Sequence, residues 1–263
     1  MQHPPAARIR VLAARALPVA ALLTVTACSA GHPELPGAAS SAAASAGRSP
    51  AALASPTAPP PLTEDGARDA LIAPGDLGGR WRPTQGAAPW RDGLLKATAE
   101  DPDCRRLLDL LYTEEFLGPP AGARAVAGFD DAGGAAQLRY QVAAHRVADV
   151  DRTLTWFAGL PVRCGRFPAV TAYGAEQDVE VDELPLPEVG DARQGLRVTL
   201  SGQTAGGEPS FLVVEVAAVR VGEDTITLTN GGPGEVPEEV TWRAVQAGAE
   251  RLAEVRRQSG TEV

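Results

Sequence analysis

Hydrophobic and polar positions alternate with a readable period only from about residue 63 onward. Residues 63–72 predict a short helix, with Thr63 as a possible N-cap and Asp65 near its start. Pro74-Gly75-Asp76 breaks it, and residues 77–84 read as a turn and a short extended piece carrying Trp81. Residues 102–116 place Leu107, Leu108, Leu110 and Leu111 in one helical stripe, which Pro119-Pro120 ends. Residues 123–129 and 136–146 predict two strands around the loop 130–134. In the second, Leu138, Tyr140, Val142 and Ala144 alternate with Gln137, Arg139, Gln141 and His145, the pattern of a half-exposed strand. Residues 149–160 predict a helix burying Val150, Leu154, Phe157 and Leu160.

The last third is richer in strands. Val179 and Val181 alternate with Glu180 and Asp182, and Leu196, Val198 and Leu200 with Arg197 and Thr199. Residues 211–221 (FLVVEVAAVRV) are apolar on both faces, as a central strand must be. Residues 225–229 put Ile226 and Leu228 on one side and threonines on the other. Residues 237–257 predict a closing helix with Pro237 near its first turn. Hairpins separate helices, and single strands do not alternate with helices. The fold class this predicts is α+β: one domain with an antiparallel sheet packed against helices.

The first 62 residues carry another signal. Arg8, Arg10 and Arg15 precede a twelve-residue apolar run at 16–27, too short to cross a bilayer. It ends in Val25-Thr26-Ala27-Cys28, the pattern of a bacterial lipobox, so residues 1–27 read as a lipoprotein signal and Cys28 as the lipidated residue. The other reading is an ordinary secretory signal. Residues 29–62 number 34, of which 27 are Ala, Ser, Pro or Gly, and 28–62 read as a disordered tether reaching roughly 30 Å. The expected layout is a domain over 63–258 with a tail at 259–263, held by its lipid at the outer face of the cytoplasmic membrane. Removal of the signal takes three arginines and no acid, which moves the formal charge from −9 to −12.

Composition then narrows the chemistry. The acidic balance lacks the basic footprint of a nucleic-acid binder. With Cys28 lipidated, Cys104 and Cys164 remain as an even pair in an oxidising compartment, where a disulfide is the default; two buried free thiols are the other reading. No histidine lies near either, so no metal is expected, nor any cofactor. His145 is the one histidine beyond the tether, and its alternation places it on a polar strand face as an ordinary surface residue rather than the centre of a catalytic triad. Asp178, Glu180 and Asp182 share one strand face without the glycine turn of a calcium loop, and read as the solvated face of an edge strand. The runs 202–207 and 231–234 read as turns. Trp81 and Trp90, in an irregular stretch, are the candidates for lining a cleft.

Several pieces also resemble a known family by their order and spacing. They are residues 70–77 (ALIAPGDL) followed by Trp81, Cys104 opening a leucine-rich helix, a strand ending in Phe129, and a helix running into Cys164-Gly165-Arg166-Phe167. Val189-Gly190-Asp191-Ala192 and Val219-Arg220-Val221-Gly222 complete the set. Over residues 62–258 the chain resembles the PknH-like extracellular sensor domain, found outside mycobacterial receptor kinases and as free-standing actinobacterial lipoproteins. The resemblance implies an antiparallel sheet with flanking helices and a ligand cleft, and supplies no catalytic residues. Kinase-attached members carry two disulfides; here Cys104 and Cys164 can make one, and no kinase motif is present. The expected function is a lipid-anchored binding or sensor-like protein without catalysis, taking a small ligand, an envelope component or a protein partner. The alternatives are an envelope-acting hydrolase and a structural envelope lipoprotein.

Overall fold

The computed structural model of the protein describes residues 60–204 and 206–261. Cys28 and the signal and tether segments up to residue 59 lie outside them. Nine strands form a single antiparallel sheet in the order β1-β3-β4-β9-β8-β7-β6-β5-β2. They are β1 (Trp81–Pro83), β2 (Ala97–Thr98), β3 (Arg124–Asp131), β4 (Gln137–Ala144), β5 (Arg166–Thr171), β6 (Glu176–Glu183), β7 (Ala192–Gln203), β8 (Pro209–Val221) and β9 (Asp224–Pro233). β5 to β9 run as one meander, and the β3–β4 hairpin docks on β9 with Tyr140 opposite Leu228.

The helices are α1 (Glu64–Asp69), α2 (Pro102–Thr113), α3 (Val147–Ala158), α4 (Leu160–Arg163) and α5 (Glu238–Thr261). Local chemistry sets their ends. Thr63 accepts the Gly66 N–H at the start of α1, and Asp101 accepts those of Asp103 and Cys104 at the start of α2, meeting donors that a helix start leaves free. α2 stops at Glu114, whose φ is 61°; among the described residues it is the one non-glycine with a left-handed backbone.

Two helical layers cover different halves of the sheet. On one face Leu107, Leu108 and Leu111 of α2 and Val150 and Phe157 of α3 pack on β5 to β8 through Phe167, Val179, Val198 and Val214. On the other, Val245, Ala249 and Leu252 of α5, with α1, pack on β3, β4, β9 and β8 through Phe129, Tyr140, Ile226 and Val219. β8 is fifth of nine and covered on both sides, which is why its sequence is apolar on both faces. Each fully buried Leu or Phe contributes roughly 1.5–3 kcal/mol. Cys104 and Cys164 are bonded, with S–S 2.11 Å and Cα–Cα 5.5 Å, tying the first turn of α2 to the residue after α4.

Three local expectations need correction. β6 is an interior strand between β5 and β7, so Asp178, Glu180 and Asp182 do not guard an edge. They are tolerated because α5 does not extend over that half of its face. Gly231 and Gly232 are not a turn but the end of β9: side chains there would meet Val214, Trp90 and Ala136 at 2.8–3.2 Å, so close packing requires glycine. His145 is buried rather than a surface residue. The segment 114–122 crosses the bare half-face of β4 and β9 and covers it.

Candidate functional site

Because each helical layer leaves part of its face uncovered, the domain has several concavities. One, of about 650 Å³, is a polar saddle between the β5–β6 and β7–β8 turns, containing Glu176, Asp178, Ser201 and Gln203. The acidic oxygens there do not converge. Among the described residues the one grouping with metal-ligand spacing is Asp101, Cys104 and Cys164, and both of its sulfurs are spent in the disulfide.

A groove of about 520 Å³ has the size of a small-molecule site. Three segments build it: residues 77–81, the β3–β4 hairpin tip at 131–136, and residues 233–243, which enter α5. A 3₁₀ turn at Pro74–Leu77 and Gly78, with φ 91°, turn the chain so that Trp81 enters β1 with its ring at the groove. Leu77, Ala136 and Val240 supply further apolar wall. Arg80 lies along the hairpin tip, where its Nη2 donates to Asp131 Oδ2 at 2.6 Å and its carbonyl accepts the Ala132 N–H. Asp131 Oδ1 accepts the Gly133 N–H, so that carboxylate is engaged at both oxygens. Arg243 lies against Gly78, where a methyl group would stand 3.2 Å from its Nη1. Among the described residues Arg243 has no ion-pair or hydrogen-bond partner.

The four indoles differ in one respect. Trp90 Nε1 donates to the Ala135 carbonyl, Trp156 Nε1 to Asp103 and Trp242 Nε1 to the Pro185 carbonyl, at 2.8–2.9 Å. Trp81, 8% exposed, has no partner for its N–H among the described residues. Its nitrogen is not one of the sealed, unpartnered polar atoms, and Trp81 is among the residues that line the groove. Trp90, also 8% exposed, sits on the other side of the same hairpin tip in a pocket of about 330 Å³.

Beside the groove runs a chain of charges legible only in the fold. Glu215, fully buried on β8, receives Arg197 Nη1 at 2.6 Å and the Thr241 hydroxyl, while Arg197 Nη2 reaches Glu235 at 3.1 Å on the groove rim. Burial pushes the Glu215 carboxyl above its ordinary range, against the opposing pull of Thr241 and Arg197. A carboxyl raised on folding binds its proton more readily in the native state. Its stabilising contribution is therefore complete below the unfolded value, near 4.5, and is lost as pH rises through the folded one. Glu215→Gln should hold its advantage at pH 8, melting at or above wild type, and lose it by pH 5. Melting temperatures equally depressed at both values would overturn this.

A smaller cavity of about 170 Å³ lies under the strap 114–122, against Arg124, Gln141, Thr227 and Thr229. Glu114 fastens one end through Arg91 (3.0 Å), Arg139 (3.2 Å) and Thr229 (3.2 Å). Arg91 also donates to the Leu111 and Tyr112 carbonyls, closing the end of α2. His145 fastens the middle of the strap, and the Ala121 N–H, donating to the Ala144 carbonyl, the other end. The His145 Nδ1 is 2.8 Å from Thr225 Oγ1 and its Nε2 3.3 Å from the Gly118 carbonyl, while Thr225 spends its own proton on the Ala143 carbonyl. Desolvation lowers the imidazole pKa, the two carbonyl contacts opposing it. Sequence reasoning missed Arg91, Glu114 and Arg243, since a lone charged residue gives no periodic signal.

No protein-family model matches the sequence, and no curated protein matches it. The chain is similar to the extracellular domain of PknH. That domain, from Mycobacterium tuberculosis, is 13% identical with a TM-score of 0.45, over 75% of this chain and 98% of that one. An uncharacterised protein from Mycobacterium smegmatis is 17% identical with a TM-score of 0.31, over 70% of this chain and 84% of that one. The likeness is of fold, and brings no ligand or residue role to this chain. Among the described residues no helix is long and apolar enough to cross a membrane.

Proposed function

We propose that this chain is a lipid-anchored extracytoplasmic binding protein, of sensor-like type and without chemistry of its own, whose small ligand occupies the groove beside Trp81. The observation that carries the reading is the Trp81 indole N–H, the one tryptophan donor without a partner among the described residues, on a residue that lines a concavity of ligand size. The hydrolase alternative would have to be built on His145, and that imidazole is buried between Thr225 and the Gly118 carbonyl. The anchor rests on Val25-Thr26-Ala27-Cys28 and the tether that follows.

Two experiments test it. With ¹⁵N-indole-labelled full chain, the dialysable small-molecule fraction of the producing cells should move the Trp81 N–H resonance saturably; a stationary resonance refutes the site. Cys28→Ala should release the protein from the membrane into the medium, and retention refutes lipidation.

A further inference from the structure

The groove's polar groups are not balanced between donors and acceptors. On the donor side stand Arg243, with no partner among the described residues, the Trp81 N–H, also without one, and Arg80, which commits one N–H to Asp131. On the acceptor side, Asp131 is filled by Arg80 and Gly133, and Glu235 is held by Arg197. A ligand that entered with donors would find Asp131 filled and Glu235 with one oxygen committed to Arg197, and would face two guanidinium groups. One that entered with acceptors would meet three sets of free N–H groups. A guanidinium fits a carboxylate or phosphate with two parallel hydrogen bonds, which neither water nor a neutral oxygen reproduces.

The rest of the groove sets the shape of the remainder. Gly78 and Gly79 present bare backbone, and a side-chain carbon on Gly79 would have nothing within 4 Å, so a ligand can approach the main chain there. Leu77, Trp81 and Val240 offer apolar surface next to the arginines. We infer that the groove takes a small molecule with a carboxylate or phosphate at one end and an apolar body at the other. The anionic end sits between Arg243 and Arg80 and accepts from the Trp81 N–H, while the body lies on Leu77 and Val240. This rests on the binding reading above and adds the chemical class of the ligand.

The test uses the detergent-solubilised full chain with ¹⁵N-indole tryptophan, the Trp81 resonance among the four being identified by Trp81→Phe. Four probes that share a phenyl body are titrated: 3-phenylpropionate, phenyl phosphate, 3-phenylpropan-1-ol and 3-phenylpropylamine. The two anions should shift the Trp81 N–H resonance saturably, and each should bind at least about tenfold more tightly than the alcohol or the amine. Arg243→Gln, a change at an exposed position, should reduce that preference about tenfold and leave the fold intact. If the alcohol or the amine shifts the resonance as strongly as the anions, or Arg243→Gln leaves the preference unchanged, the anionic class is wrong while the groove remains a binding site. If none of the four moves the Trp81 resonance, the groove reading falls with it.

Discussion

Replacing both Cys104 and Cys164 by alanine is expected to cost the domain about 4 kcal/mol, a large share of the roughly 5–15 kcal/mol that holds a domain of this kind together. The bridge closes a loop across a sequence separation of 60, and that loop holds most of α2, all of β3, β4 and α3, and the 114–122 strap. In the unfolded chain the closure removes many conformations. In the folded chain it pins α2 to the end of α4, where Trp156, Phe157 and Phe116 pack, the last two edge to face at 5.9 Å. Both sulfurs are buried, so the double variant also leaves an apolar void. Denaturant unfolding of the full chain under non-reducing conditions reads the effect. A loss under about 1 kcal/mol would mean that the two sulfurs are not bonded in the exported protein.

The parts of the fold legible in the sequence are those where a single element carries its own pattern. Residues 211–221 are apolar on both faces because two helical layers cover β8, and Thr225, Thr227 and Thr229 alternate with Ile226 and Leu228 because one layer stops there. β5 escapes the same reading. Pro168 interrupts its alternation of Phe167, Ala169 and Thr171, and the proline is tolerated opposite Asp178 at the periphery of the sheet. The acidic alternation of β6 showed its exposed face but not its interior place, since a bare half-face and an edge look alike in one strand's sequence.

The site divides the same way. Trp81 stands out as an amphipathic ring in an irregular segment. Its lack of a partner depends on where Ala135, Asp103 and Pro185 fall in space to satisfy the other three indoles. Arg243 comes from an exposed helix position, and reaches the groove because Gly78 lets its guanidinium lie against the backbone. Glu215 and Arg197 are ladder partners in the β7–β8 hairpin, so this pair becomes legible once the register is known.

Gly248→Ala should destabilise the domain by about 2 kcal/mol, against the sign that helix propensity gives. In the interior of a helix as long as α5, alanine is favoured over glycine by about 1 kcal/mol. At Gly248, however, a methyl group would stand 2.1 Å from the Tyr140 hydroxyl and 2.9 Å from its Cζ. Tyr140 is fully buried in the middle of β4, between Ala127 of β3 and Leu228 of β9. The ring cannot yield, so α5 must lift from the sheet, and overpacking of that kind costs roughly 1–3 kcal/mol or more. The hydroxyl itself finds no hydrogen-bond partner among the described residues, and burial drives its pKa far upward. Tyr140→Phe should therefore stabilise the protein by about 1 kcal/mol, since it removes a buried polar group that gives nothing back. It should also relieve part of the strain of Gly248→Ala, because the nearest contact then retreats from the oxygen to the ring carbon. Denaturant midpoints of wild type, the two single variants and the double variant form a cycle whose coupling should be positive and of order 1 kcal/mol. A Gly248→Ala protein more stable than wild type would show that α5 does not approach β4 this closely.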